Sequence, residues 1–264
     1  MTFSQDTSLK PTTPIGSIGV GVIAPYDFAL DRELWRWVPD PINLLLTRTP
    51  HHILPVSITQ AETVSDTSVL TECARTLVET SPDVVAYACT SGSFVRGLSG
   101  EASLRHAIEM AGVPRALTTS GALLQAVAAL GVRRLAVATP YDDEVTARLG
   151  DFLAQAGVQV VSTAAAGLSS RIWALPYPEV ARLWRSALPA SGAGGADAVF
   201  MSCTNVPTLD LIEPLEAELG IPMLSANQVT LWAALAAVGV ELATSGQALA
   251  QVAAPRHRPG AFGS

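Results

Sequence analysis

A chain of 264 residues that is 49% hydrophobic and only 15% charged has apolar side chains enough for a large buried core, in one large domain or two modest ones. Its net charge of −7 argues against a general nucleic-acid or anionic-membrane surface, and no uninterrupted apolar run approaches the ~20 residues that span a bilayer. A small anionic substrate stays compatible with that charge, because a local cluster of backbone N–H groups binds anions even in an acidic protein.

The chain opens on MTFSQDTSLKPTTP, which lacks the basic and apolar segments of a secretory signal and reads as a flexible lead-in. Nearly continuous apolar runs follow at residues 17–24, 42–48, 83–88, 133–139, 158–163, 197–202 and 221–225. Such runs are expected of parallel strands covered on both faces. Helix-like segments alternate with them. One presents Val69, Cys73 and Leu77 on one face behind a possible Asp66 cap; another presents Val145, Leu149, Phe152 and Leu153 between Asp142 and Gly157. The alternation predicts an α/β fold. The tail APRHRPGAFGS reads as loosely held.

Three blocks recur in order. VIAPYD at 22–27 returns as VATPYD at 137–142, ACTSGS at 88–93 as SCTNVP at 202–207, and AGVPRALTTS at 111–120 as LGIPMLSANQ at 219–228. The chain therefore reads as two pseudo-symmetric α/β domains, each a mostly parallel sheet flanked by helices, with the site in the cleft between them. The first domain is assigned residues 15–125 plus 228–255, where the apolar segment after Asn227 returns to pack. The second is assigned 126–227.

The three cysteines, Cys73, Cys89 and Cys203, occur without a secretory signal and point to reduced thiols in a cytoplasmic protein. No metal is expected, since His51 and His52 are adjacent and His106 and His257 isolated. Cys73 fits a buried helix face. Cys89 and Cys203 differ: each ends a strand and each is followed by threonine. Free cysteines are commonly buried small residues, and Thr, Ser and Gly after a strand are ordinary turn chemistry; the duplication singles this pair out. Ligands bind beyond the carboxyl ends of parallel strands, so the two thiols are expected to face one cleft, one attacking or deprotonating a carbon while the other supplies a proton. Thr90 and Ser91 in one turn, and Thr204 and Asn205 in the other, offer donors to a carboxylate or enolate. Tyr26 and Tyr141 follow the other duplicated strands and are placed to hydrogen-bond a substrate carboxylate. Asp27 is a cap candidate that is also a candidate for contact with substrate, and Arg96 a surface charge or a carboxylate partner.

CTSGSFVRG and SCTNVPTLDLIEPLE, with VIAP, TPY and LGIPMLSANQ, resemble the aspartate/glutamate racemase superfamily, and within it the maleate cis-trans isomerase and arylmalonate decarboxylase branch. The resemblance spans residues 17–240. It implies cofactor-independent chemistry on carbon next to a carboxylate, with no cofactor, a small carboxylic acid as substrate, no nucleic-acid or membrane partner, and a homodimer or higher homo-oligomer. It further implies Cys89 as nucleophile and Cys203 as its partner. Thr90, Ser91, Tyr141 and the Thr204 N–H would hold a carboxylate, and Pro25 would line the cleft. The decarboxylases typically have glycine where Cys89 stands, which favours cis-trans isomerisation of a maleate-like diacid. A two-cysteine racemase, a malonate-type decarboxylase and an inactive acid-binding protein are the alternatives. The isomerases usually carry Ser-Ser-Asn where this chain has Tyr26-Asp27-Phe28, and a second asparagine is replaced near Ser169; Phe28 implies a more apolar or differently charged substrate.

Overall fold

The computed structural model describes residues 16–189, 192, 195–244 and 246–253. The lead-in and the tail read from the sequence lie outside them. The first sheet contains β1 (Ile18–Ala24), β2 (Ile42–Arg48), β3 (Val84–Tyr87) and β4 (Ala116–Thr118). The second contains β5 (Arg134–Thr139), β6 (Gln159–Ala165), β7 (Ala198–Met201) and β8 (Met223–Ser225). Their orders, β2-β1-β3-β4 and β6-β5-β7-β8, are the same order twice, and every pairing is parallel. The continuous apolar runs are explained by burial: all four residues of β3 and all four of β7 are buried. Strand β6, at an edge, alternates between half-buried and exposed.

The helices are α1 (Asp31–Trp37), α2 (Ile58–Val64), α3 (Thr67–Val78), α4 (Thr90–Phe94), α5 (Gly97–Met110), α6 (Thr119–Ala129), α7 (Asp143–Gln155), α8 (Tyr177–Ser186), α9 (Leu209–Leu219) and α10 (Ala226–Ala237). Both sequence-read caps form. Asp66 accepts the Ser68 N–H at 2.8 Å and Asp142 accepts the Val145 N–H at 2.9 Å. Gly157 ends α7 at φ 77°, a left-handed position suited to glycine. Strand β4 escapes the apolar-run criterion because three residues show no period; its repeat partner, IPMLS, carries the only sequence signal for it.

Every residue of α10 from Ala226 to Leu235 is buried, with the polar Asn227, Gln228 and Thr230 hydrogen-bonded inside the protein. It packs on α6, β3 and β4 and also meets β8 and α1. The Thr119 and Thr230 hydroxyls join α6 to α10 at 2.8 Å. No described helix is long and apolar enough to cross a membrane.

The pseudo-symmetry extends to the backbone at the strand ends that build the site. The Ala88 N–H reaches Ile23 O at 2.8 Å in the first half, and the Ser202 N–H reaches Ala138 O at 2.9 Å in the second. The residues after β1, β3, β5 and β7 therefore emerge side by side at matched heights.

Candidate active site

One cavity receives the ends of all four central strands. Pro25, Asp27 and Phe28 enter after β1, Cys89, Thr90 and Ser91 after β3, Tyr141 after β5, and Cys203, Thr204 and Asn205 after β7. Both thiols thus reach the same wall. Val56, Gln60 and Ile172 complete it. The loops bearing Val56 and Ile172 gave no sequence signal.

The two cysteine turns differ in conformation. Cys89 is extended (φ −143°) and acts as the cap of α4, its Sγ accepting the Gly92 N–H at 3.4 Å. The Ser91 hydroxyl lies 3.8 Å from the same sulfur. Cys203 sits at φ 81°, a region that costs a residue with a side chain roughly 1–3 kcal/mol and clusters at functional sites. Its sulfur accepts the Asn205 N–H at 3.4 Å.

The threonines explain why Cys-Thr recurs. Thr90 Oγ1 accepts the N–H of Cys203 at 3.2 Å, and the Thr204 hydroxyl donates to Ala88 O at 3.0 Å. Each half's threonine thereby holds the other half's cysteine turn. Thr90, used as an acceptor, keeps its own proton for a ligand, whereas Thr204 leaves only its backbone N–H. Likewise the Tyr141 hydroxyl accepts from Ser202 at 3.4 Å and keeps its proton. Asn205 commits its amide to the β1–α1 turn: Oδ1 accepts the Ala29 N–H at 3.0 Å and Nδ2 donates to Asp27 O at 2.9 Å.

The repeat pairs Tyr26 with Tyr141, but Tyr26 is not among the described residues that line the cavity. Its ring meets those of His51 and His52 edge-on, with centroids 5.4 and 6.2 Å away, and its hydroxyl donates to Leu54 O at 3.4 Å. The turn that brings Pro25 and Asp27 inward sends the residue between them toward the loop after β2. Arg96 is not a wall residue either. Its guanidinium donates to Ser65 O, Ser65 Oγ and Glu62 O, closing the carboxyl end of α2.

The cavity encloses about 30 Å³, room for little more than a water. A backbone bond from the Val56 N–H to Ser169 O at 2.9 Å joins the two flanking loops.

Burial raises the pKa of both cavity thiols, and the Asp27 carboxyl adds to the shift; Cys203 is pushed up to about 12. The Asp27 carboxyl is itself raised by burial. Because the thiolate is the nucleophile, a raised pKa means that reactivity is gained only as pH climbs. Alkylation of Cys89 and Cys203 by iodoacetamide should therefore still be accelerating near pH 9, above the midpoint of about 8.5 for an ordinary thiol. A plateau below pH 8 would show that the surrounding donors outweigh burial.

A sequence model of the arylmalonate decarboxylase family matches residues 56–250. The chain belongs to that family. It is 35% identical over 168 residues to the arylmalonate decarboxylase of Bordetella bronchiseptica, covering 63% of this chain and 69% of that one. It is 27% identical over 202 residues to the maleate isomerase of Alcaligenes faecalis, covering 72% and 75%. Among solved structures it resembles a liganded arylmalonate decarboxylase variant carrying one glycine-to-cysteine and one cysteine-to-serine exchange. That match has a TM-score of 0.79 and 28% identity, and covers 88% of this chain and 98% of that one. The family's members are thus enzymes of two reactions, and the branch and fold expected from the sequence are those found.

Proposed function

We propose that this family member is a cofactor-independent isomerase of a small carboxylic acid, with Cys89 and Cys203 as paired acid–base groups on opposite sides of the carbon next to the carboxylate. The observation that carries the reading is the convergence of two thiols, each ending the equivalent strand of its sheet, on one cavity. The protons left free on Thr90 and Tyr141, with Ser91 and the Thr204 N–H, supply donors for one carboxylate. Phe28, Val56 and Ile172 supply an apolar side for a substituent. Among the described residues no lysine or arginine stands on the wall while Asp27 does, which opposes a second carboxylate by like-charge repulsion.

In the racemising form of the reaction, one cysteine as thiolate takes the α-proton and becomes a thiol. The enediolate is held by the hydroxyl and N–H donors, which strengthen as its charge develops. The opposite thiol returns a proton to the other face and is left as thiolate. A second reading, cis-trans isomerisation of a maleate-like diacid, is favoured by the likeness to a maleate isomerase over 75% of its length. There the Cys89 thiolate adds to C2 of the enedioate, the C2–C3 bond rotates, and elimination restores thiolate and double bond.

A proton NMR time course in D2O with maleate, a chiral 2-substituted propionate and an arylmalonate separates these outcomes. Deuterium entering the α-position with loss of optical activity is the expected result. Fumarate growing from maleate, with the propionate untouched, would replace the first reading by the second. Release of CO2 from the malonate would place the protein with the decarboxylases, and thermal stabilisation by an acid without turnover would leave a binding protein.

A further inference from the structure

Cys203 occupies a left-handed backbone conformation (φ 81°) that its surroundings must hold. Thr90 holds one side of its turn. The other side leads to a buried carboxyl that the sequence did not flag. Glu33, on α1, is only 7% exposed, and none of the described ion pairs includes it. Its Oε2 accepts the Thr208 N–H at 3.0 Å, and its Oε1 lies 3.3 Å from both the Thr208 hydroxyl and Asn227 Nδ2. The same Asn227 Nδ2 donates to Thr204 O at 2.8 Å, one residue beyond Cys203. The Asn227 Oδ1 is buried without a partner, so the amide is fixed through its Nδ2 alone. A buried acid without a cation is expensive, and an apolar residue would fill the space at lower cost. What the carboxyl gains there is its set of donors, all belonging to the 204–208 loop or to the start of α10, which follows β8.

We propose that Glu33 is a positioning residue for Cys203: from the first half of the molecule it orients Asn227 and Thr208, and through them holds the turn that aims this sulfur into the cavity. The role builds on the reading of Cys203 as an acid–base group, but its test does not need a substrate. Iodoacetamide alkylation at Cys203 and at Cys89 is followed by peptide mass spectrometry in native, Glu33→Gln and Glu101→Gln proteins.

Glu101 is the control. It is equally buried, 6% exposed, and accepts from Thr118 at the cap of α6 and from Arg105, remote from Cys203's turn. In Glu33→Gln the Cys203 turn should relax and expose its sulfur. Cys203 then reacts at least about threefold faster, the effect of half a pKa unit on thiolate fraction, while Cys89 stays at its native rate. Glu101→Gln should lower Tm without changing the ratio of the two rates. An unchanged or slowed Cys203, or equal change at both cysteines, overturns the proposal even if Tm falls. Should Glu33→Gln not fold, Asn227→Ala, which removes the link to Thr204 O, is read by the same criterion. Selective acceleration together with no turnover of any acid would leave the positioning role intact and remove the functional reading alone.

Discussion

Cys89→Ala and Cys203→Ala should each lose at least about a thousandfold in kcat/KM, within the range of removing a positioned acid or base. The losses should not add: the double variant should be little worse than either single one, because the two thiols act as a unit. Stability separates the two positions. Cys89 lies in an extended, well-packed seat, so its truncation should cost about 1 kcal/mol in unfolding free energy. Cys203 carries its side chain at φ 81°, where glycine is at ease. Cys203→Gly should therefore raise Tm or leave it unchanged while abolishing turnover, as expected where strain is retained for chemistry. Thermal denaturation of the four variants beside their kinetics makes the comparison. Retention of more than about a tenth of native kcat/KM in either alanine variant would remove that cysteine from the acid–base pair.

The doubled topology was legible because parallel strands buried on both faces leave continuous apolar runs, and because the repeat supplied a second copy of each short element. Strand β4 shows the limit: three residues carry no period of their own. The cysteine pair was legible for the same reason, yet its threonines carried a different meaning. Their recurrence reads as a duplicated anion site, whereas each side chain first spans the cleft to the opposite turn. Sequence order hides such a bond, since its partners are 113 and 116 residues apart. The repeat implied equivalence of Tyr26 with Tyr141, while the local turn and His51 and His52 decide where the Tyr26 ring goes. Glu33 was invisible, since an acidic residue in the first turn of a helix is ordinary and its burial depends on contacts made across the cleft with Thr208 and Asn227.

Asn205 shows how the fold bears on substrate. In sequence it belongs to a polar turn that offers donors to a carboxylate or enolate. In the fold both ends of its amide are used by backbone on the other side of the cleft. With Asn205 committed and Asp27 on the wall, the donors left over converge on one carboxylate. This arithmetic of donors, more than the likeness to either named enzyme, favours a substrate with one carboxylate and an apolar substituent.

Gly92→Ala should lower kcat by at least about a hundredfold, although residue 92 carries no side chain and touches no substrate in the proposed reaction. Gly92 lies within α4 and needs no left-handed conformation; it is required by space. A Cβ there would overlap the Tyr87 hydroxyl and stand 3.1 Å from Tyr87 Cζ and 3.2 Å from Cys89 Sγ. Tyr87 cannot yield easily: it is fully buried and its hydroxyl donates to Val64 O at 2.8 Å. The start of α4 must therefore shift, drawing the Gly92 N–H away from the Cys89 sulfur that accepts it, and displacements of about 1 Å at a reacting group cost around a hundredfold. Overpacking should also lower stability by about 1–3 kcal/mol. Adding Tyr87→Phe removes the overlapping oxygen and should recover most of the lost Tm. It leaves the new Cβ against the Cys89 sulfur, so activity should stay low. Recovery of Tm without recovery of kcat would tie the loss to the seat of the Cys89 sulfur rather than to the fold. Native kcat in Gly92→Ala would mean that this thiol works without the close helix N-terminus beneath it.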